Sequence, residues 1–307
     1  MFFLSVLNHC SHQQSYNHIN SKKYFIMEPY QRKFLSLIIV AGLILIATSC
    51  SDTNDAINGI ALVEDTSEIV NSAEIDELDS VLGDLIIDTH ETYEANDAGR
   101  ISQPPSLPEC VTIQLTAQQY YRELVIDFGN EGCLVRGHLL RGQIVVSYTR
   151  DPEAQERLIS YDLINFFFDA KGIEASRTIL RVRSNENENP MFTHNLDVTV
   201  TWPNGMQASR SGTKIREWIE GVGSGFFSDN VYEVTGNWST TFTNGNTHSY
   251  EVIEPLRREV VCIYFVSGSF EVQRSNFGGV FDFGDGDCDN SATFTFNNGQ
   301  EIPITLN

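Results

Sequence analysis

The densest set of potential ligand atoms in the chain is Asp285-Gly286-Asp287-Cys288-Asp289-Asn290, with Asp282 just upstream. Carboxylates at alternate positions suit Ca2+, a hard cation that takes six to eight oxygen ligands. The candidate metal ligands are therefore Asp285, Asp287 and Asp289. The spacing departs from an EF-hand loop, because Asn290 stands where that loop needs Gly and Phe296 where it needs a bidentate Glu. The competing expectation is a tight turn, in which Asp and Gly supply left-handed backbone and local side-chain caps.

Other chemistry-bearing residues do not gather into motifs. His90, His138, His194 and His248 are scattered, with no i, i+4 pair and no H-E-x-x-H, so packed or solvated histidines are expected. Gly221-Val222-Gly223-Ser224-Gly225 matches neither a nucleophile elbow nor a dinucleotide fingerprint and reads as a loop. The residues that follow it, Phe226 and Phe227, are the candidate ligand-binding aromatics. Trp202 and Trp238 fall on apolar faces and are expected in the core. Glu217 and Glu220 could flank a glycosidic bond, but in so acidic a chain chance placement explains them. No catalytic residue is assigned, and the chain is not expected to be an enzyme. Arg257 and Arg258 beside Glu259 predict an ion pair or network at a strand end.

Upstream, the stretch from Met27 carries Arg32 and Lys33, then 14 uncharged residues from Phe34 to Ala47, then Thr48-Ser49-Cys50. A positive start, a short apolar run and small residues are the parts of a secretory signal. The run is shorter than the ~20 residues that span a bilayer. Its end, Leu45-Ile46-Ala47-Thr48-Ser49-Cys50, resembles the lipobox of bacterial lipoproteins. That resemblance implies cleavage before Cys50 and acylation of that residue, and two or more chains anchor stably. The Ser-Asp-rich start of the mature chain is similar to the surface-export signal of Bacteroidetes lipoproteins, which implies an outer-membrane, surface-exposed location. Residues 1–26 make no sense ahead of a signal peptide. Met27 is the expected initiator, and His9, Cys10, His12 and His18 are not read as a metal site.

The expected organisation is thus 1–49 as extension and signal, 50–108 as a lipidated acidic tether, and 109–307 as the main domain. Residues 1–49 carry four basic residues and one acid, so the full-chain charge of −21 becomes −24 for the 258 residues from Cys50. Such a charge repels nucleic-acid phosphates, and no nucleic-acid partner is expected. Beyond Cys50 lie Cys110, Cys133, Cys262 and Cys288. Export places them where disulfides persist. Three connectivities exist, and Cys110–Cys133 with Cys262–Cys288 is preferred, because each pair brackets a similar segment.

Residues 52–97 hold 14 acids and no Lys or Arg. Within them, Ile75, Leu78, Leu82, Leu85 and Ile86 share a helical face, and Asn71 with Glu74 resembles a capping box. A short amphipathic helix over about 72–93 is expected, either docked on the main domain or left as a loose stalk. From Cys110 onward the period becomes two, as in Leu196, Val198, Val200 and Trp202. Asn204-Gly205, Asn244-Gly245 and Asn298-Gly299 sit between such runs as hairpin turns. The expectation is an all-β fold, a single large antiparallel meander with a short N-terminal helix. Gly142, Gly236 and Gly268 inside strands predict bulges or sharp bends; coiled sheet, half-barrel and sandwich all remain open. Ile126–Cys133 and Phe281–Cys288 repeat one pattern, a strand entering a Gly/Asp turn and meeting a cysteine.

Several stretches together resemble a family of exported Bacteroidetes lipoproteins. They are the Cys-to-Asp-Phe-Gly opening, Arg141 to Ile144, Arg216-Glu217-Trp218, Pro255-Leu256-Arg257-Arg258, Val266-Ser267-Gly268 and the Phe-Gly-Asp-Gly-x-Cys-Asp-Asn ending. The likeness covers about 110–306 and implies a lipid-anchored β protein without assigning an activity. The expected function is non-enzymatic surface binding of a protein or polysaccharide partner, or a structural role. The alternatives are a carrier holding a lipophilic ligand in a β cup and, further off, a hydrolase.

Overall fold

The computed structural model describes residues 53–95, 104, 106–151, 153–274 and 277–306, with side chains of the helix from residue 67. The signal region, Cys10, Cys50 and the histidines at 9, 12 and 18 lie outside the described residues. The chain divides into compact units 1–58 and 59–307.

One helix, α1 (Thr53–Ala95), precedes the strands. These are β1 (Thr112–Ala117), β2 (Tyr121–Asp127), β3 (Cys133–Val135), β4 (His138–Thr149), β5 (Glu156–Phe168), β6 (Lys171–Val182) and β7 (Met191–Thr201). They continue with β8 (Gln207–Glu220), β9 (Val231–Phe242), β10 (Thr247–Glu259), β11 (Ser267–Arg274), β12 (Phe277–Asp285), β13 (Ser291–Phe296) and β14 (Glu301–Thr305). All fourteen belong to one antiparallel sheet in sequence order, with β3 a side hairpin on β4. It is a meander that does not close into a barrel: β1 and β14 are its two ends. The expected large antiparallel meander is thus one continuous sheet.

The in-strand glycines lie where the ladder slips. Gly142 sits in the register shift between β4 and β5, and Gly268 in that between β11 and β12. Gly236 lies in the interruption between β9 and β10. Gly268 shows why no other residue serves: its φ is +95°, and a Cβ there would strike the carbonyl oxygen of Pro255.

The two repeated corners share one local structure. The Asp127 carboxylate accepts from the Gly129 amide (2.8 Å), and Asp282 accepts from Gly284 (2.7 Å). Both glycines have positive φ, and both intervening phenylalanines, Phe128 and Phe283, are buried. The disulfides are Cys110–Cys133 and Cys262–Cys288, so each corner is stapled by the cysteine that follows it.

The helix corrects its expected length and takes the docked of its two expected settings. It runs from Thr53 to Ala95 rather than about 72–93, and it is neither stalk nor tether over its described side chains. Ile69 and Ala73 pack into one apolar cluster with residues of β9–β14. Ile75, Leu78, Val81, Leu82, Leu85, Ile86 and Ile87 pack into another with residues of β2, β4–β9. The N-terminal part of the helix thus serves the later strands and its C-terminal part the earlier ones. Glu68, Asp76, Glu77, Asp79 and Asp84 are buried as well. The sheet encloses the helix on its acidic side too.

Candidate functional site

The interior between helix and sheet is a matched charge array. Ten of the sixteen Lys and Arg residues beyond residue 99 pair with a helix carboxylate among the described residues. At one end Glu68 accepts from Asn244, Asn246 and His248 (2.7, 2.7 and 2.6 Å). Arg210 of β8 donates to Asp76 (2.6 Å), and Lys214 joins the same carboxylate. Arg177 of β6 donates to Asp79 (2.8 Å) and to the Tyr161 hydroxyl (3.2 Å). At the other end Arg181 grips Glu91 through two nitrogens (2.5 and 2.8 Å), and Arg157 meets Glu94 at 2.8 Å.

Burial by itself would raise these carboxyls, because it penalises the ionised form. Opposing that, the charges of Arg177, Lys214 and Arg210 hold Asp79 well below the usual range. Arg216, Arg258 and Arg136 hold Asp84 down to about 2. Hydrogen bonds from His90 and Arg181 do the same for Glu91, also to about 2. His194, fully enclosed and facing Arg216 and Arg177, is pushed well below its ordinary value. His138 goes the other way: burial opposes protonation, but Glu77 and Asp169, each 3.0 Å away, raise it.

The array is least balanced at Asp84. Three guanidiniums share this one carboxylate: Arg136 and Arg258 at 2.9 Å each, and Arg216 beside them. Asp88, next along the helix, is raised by burial against its hydrogen bond with Ser106. Arg136 is unusual in its backbone too. It forms the two-residue turn between β3 and β4 with Gly137, both at positive φ (52° and 89°), a geometry that favours Asn or Gly. Its guanidinium carbon lies 4.0 Å from the centre of the Phe227 ring. Burial lowers the Arg136 pKa, Asp84 pulls it back, and Arg258 presses it down again.

Beside this cluster is a cavity of about 360 Å3 lined by residues that include Arg136, His138, Phe227, Arg258, Val261 and Ile263. Arg258 donates to the carbonyl oxygens of Cys262 and of Ile263 (3.2 Å for the latter), fixing that wall to the cluster. Val261 and Ile263 remain 64% and 48% exposed, so the cavity reaches the surface. A second depression, about 380 Å3, lies on the sheet at Ser211, Asn237, Ser249, Glu251, Glu271 and Gln273, and is mainly polar.

Of the residues singled out by sequence, Phe226 is 69% exposed, and Phe227 is half-buried on Arg136 at the cavity wall. The two candidate aromatics therefore have different settings. Trp202 and Trp238 are core residues, and Trp202 donates to Glu74 (2.9 Å). Asp285, Asp287 and Asp289 are exposed on the corner, where Asp289 caps the Ser291 amide (2.8 Å). The described residues contain no group of three or more His, Cys, Asp or Glu placed to hold a metal. Glu217 is engaged by Asn187 and Asn189 (2.9 Å each), and Glu220 by Arg257 (2.8 Å). Arg257 and Arg258 part company: the first joins Glu259 and Glu220 near the surface, the second goes inward to Asp84.

Sequence reasoning missed the Asp84 cluster. Its traces were the ion pair or network expected at Arg257 and Arg258, whose partner was sought in Glu259 rather than the helix, and the placing of Arg216 and Arg258 in stretches that resemble a lipoprotein family. Comparison with protein-family models, curated proteins and solved structures finds no match.

Proposed function

We propose that the protein is a lipid-anchored component of the cell envelope, held in the outer membrane through Cys50, exposed at the surface, with a non-enzymatic binding role toward a protein or polysaccharide. The anchor is supported by the short apolar run ahead of Thr48-Ser49-Cys50. Among the described residues, no helix is long and apolar enough to cross a membrane.

The binding role is supported by one observation above others: the interior that a carrier would keep hollow is filled by α1, with its carboxylates paired to the sheet. Recognition then falls to the periphery, where Phe226, Val261 and Ile263 expose apolar surface on neighbouring loops, joined by the Val260 amide donating to the Asn230 carbonyl (3.2 Å). Aromatic and aliphatic side chains held on such loops are the usual anchors of interfaces. The proposal assigns no catalytic residue, and Glu217 and Glu220 are engaged by different partners.

The test is surface labelling of intact cells with a membrane-impermeant reagent, comparing wild type with Cys50→Ser. Wild type is expected to fractionate with membranes and to be labelled, and the variant to be released. A wild type that is not membrane-bound, or a variant that stays bound, overturns the anchor. A wild type that is bound but unlabelled overturns surface exposure alone.

A further inference from the structure

We infer that the cavity bounded by the β3–β4 turn, the 221–230 loop and the 260–266 loop binds a single-chain amphiphilic anion, a fatty carboxylate, with its head group at Arg136 and Arg258 and its chain along Phe227, Val261 and Ile263. This goes beyond the binding role proposed above, since the ligand is neither protein nor polysaccharide and the cavity lies at the periphery rather than in the filled interior. Anchoring through Cys50 is measured separately, so either can fail alone.

The head-group assignment comes from a charge count. Arg136, Arg216 and Arg258 converge on Asp84, which leaves the cluster short of negative charge. Asp88, the next carboxyl along the helix, is engaged by Ser106, and even with it three guanidiniums face two carboxylates. Within the cluster, Arg136 Nη2 and Arg258 Nε are buried and have no hydrogen-bond acceptor. A buried charged donor without an acceptor is destabilising, and both of these arginines line the cavity. A carboxylate held against these two arginines would offset the excess charge of the cluster. Guanidinium is the side chain best shaped to take a carboxylate through two parallel hydrogen bonds.

The turn adds an independent argument. Arg136 occupies a left-handed position that Asn or Gly would fill with less strain. Strained residues persist where the surroundings over-determine them, often at binding sites. Here the strain places a guanidinium between Asp84 and the Phe227 ring, at the cavity wall.

The chain assignment comes from the remaining walls. Phe227, Val260, Val261 and Ile263 are apolar. Val261 and Ile263 are also exposed, so the apolar wall continues from Phe227 and Val260 to the surface. The volume, about 360 Å3, is near the lower end of the ~300–1,000 Å3 of small-molecule sites. It suits one alkyl chain rather than a two-chain lipid. The 380 Å3 depression fits such a ligand badly, since Glu251 and Glu271 line it.

The experiment is isothermal titration of sodium decanoate into the mature chain carrying Cys50→Ser, in detergent-free buffer, with decanol and acetate as matched probes. Saturable binding of decanoate at one site is expected, with decanol and acetate each at least tenfold weaker. Arg136→Asn removes the guanidinium but suits the turn, and is expected to weaken decanoate at least tenfold while the chain stays folded by circular dichroism. Ile263→Glu, which leaves the Asp84 cluster intact, is expected to weaken it similarly, and Arg257→Gln to leave it unchanged. No saturable decanoate binding overturns the proposal. So does equal affinity in Arg136→Asn or Ile263→Glu, or decanol or acetate binding as tightly as decanoate.

Discussion

Asp84 on the helix and Arg258 on β10 lie 174 residues apart in the chain and meet through a 2.9 Å ion pair in which neither side chain is more than 2% exposed. Arg136 and Arg216 reach the same carboxylate from two other places in the sheet. One side chain of the helix therefore ties together three segments that are remote in sequence.

Asp84→Ala is expected to lower stability by roughly 3–5 kcal/mol, because it strands buried guanidiniums rather than deleting an exposed contact. Arg257→Gln, which removes pairs to Glu220 and Glu259 near the surface, is expected to change it by less than about 1 kcal/mol. Urea unfolding of the two variants beside wild type makes the comparison. Similar losses for both would contradict the picture of a closed charged core.

Acid should loosen the helix from the sheet late. Asp84 and Glu91 titrate at about 2 in the folded chain, and Asp79 is also depressed. The unfolded chain takes up protons near pH 4. Stability from these groups is thus fully present above that pH and is lost as pH falls from about 4 through 2. Thermal unfolding across that interval should show a progressive fall in Tm, shallower in Glu91→Gln.

Two histidines act in opposite directions nearer neutrality. His194 is depressed, so its contribution is lost as pH falls below about 6.5. His138 is raised, so its contribution is complete below about 6.5 and lost as pH rises through its folded value. In His138→Gln only the His194 effect remains. Its Tm should therefore decline more steeply than that of wild type between pH 7 and 5.

Gly83→Ala reverses the usual rule for helices. Alanine within a helix normally stabilises by about 0.5–1 kcal/mol relative to glycine. At Gly83 a Cβ would run into the Arg216 guanidinium and come within 3.2 Å of the His194 ring. Displacing Arg216 disturbs its pairing with Asp84, so the substitution is expected to be net destabilising in urea titration.

Each disulfide closes a loop of similar size, with sequence separations of 23 and 26. Replacing either pair by alanine is expected to cost about 3 kcal/mol in the chain-entropy treatment. Because the pairs staple different corners, the two losses should add in a four-alanine variant, as read from denaturation midpoints.

The meander was legible because it is written locally. Leu196, Val198 and Val200 alternate with polar residues, Asn204-Gly205 turns the chain, and Asn195 to Thr201 pairs with Gln207 to Thr213 in the resulting register. The same holds for both staples, whose corners repeat within a few residues. The helix was only half legible. Its apolar stripe announced Leu78, Leu82 and Leu85, but nothing local in its carboxylates announced their partners. Their partners lie far down the chain: Arg210 is 134 residues from Asp76, and Arg274 is 206 from Glu68. No local pattern connects such residues. The cavity at Arg136 and Ile263 was hidden for the same reason, since it exists only where three distant loops meet.

The enclosure of α1 also has a consequence for the order of events during biosynthesis. The helix leaves the ribosome before every strand that will surround it, and its earliest described carboxylate, Glu68, waits for a guanidinium on β11. Until then its acidic groups keep an otherwise apolar segment in water and repel copies of itself. The charges that lock the finished molecule therefore also oppose association between copies of the unfinished one.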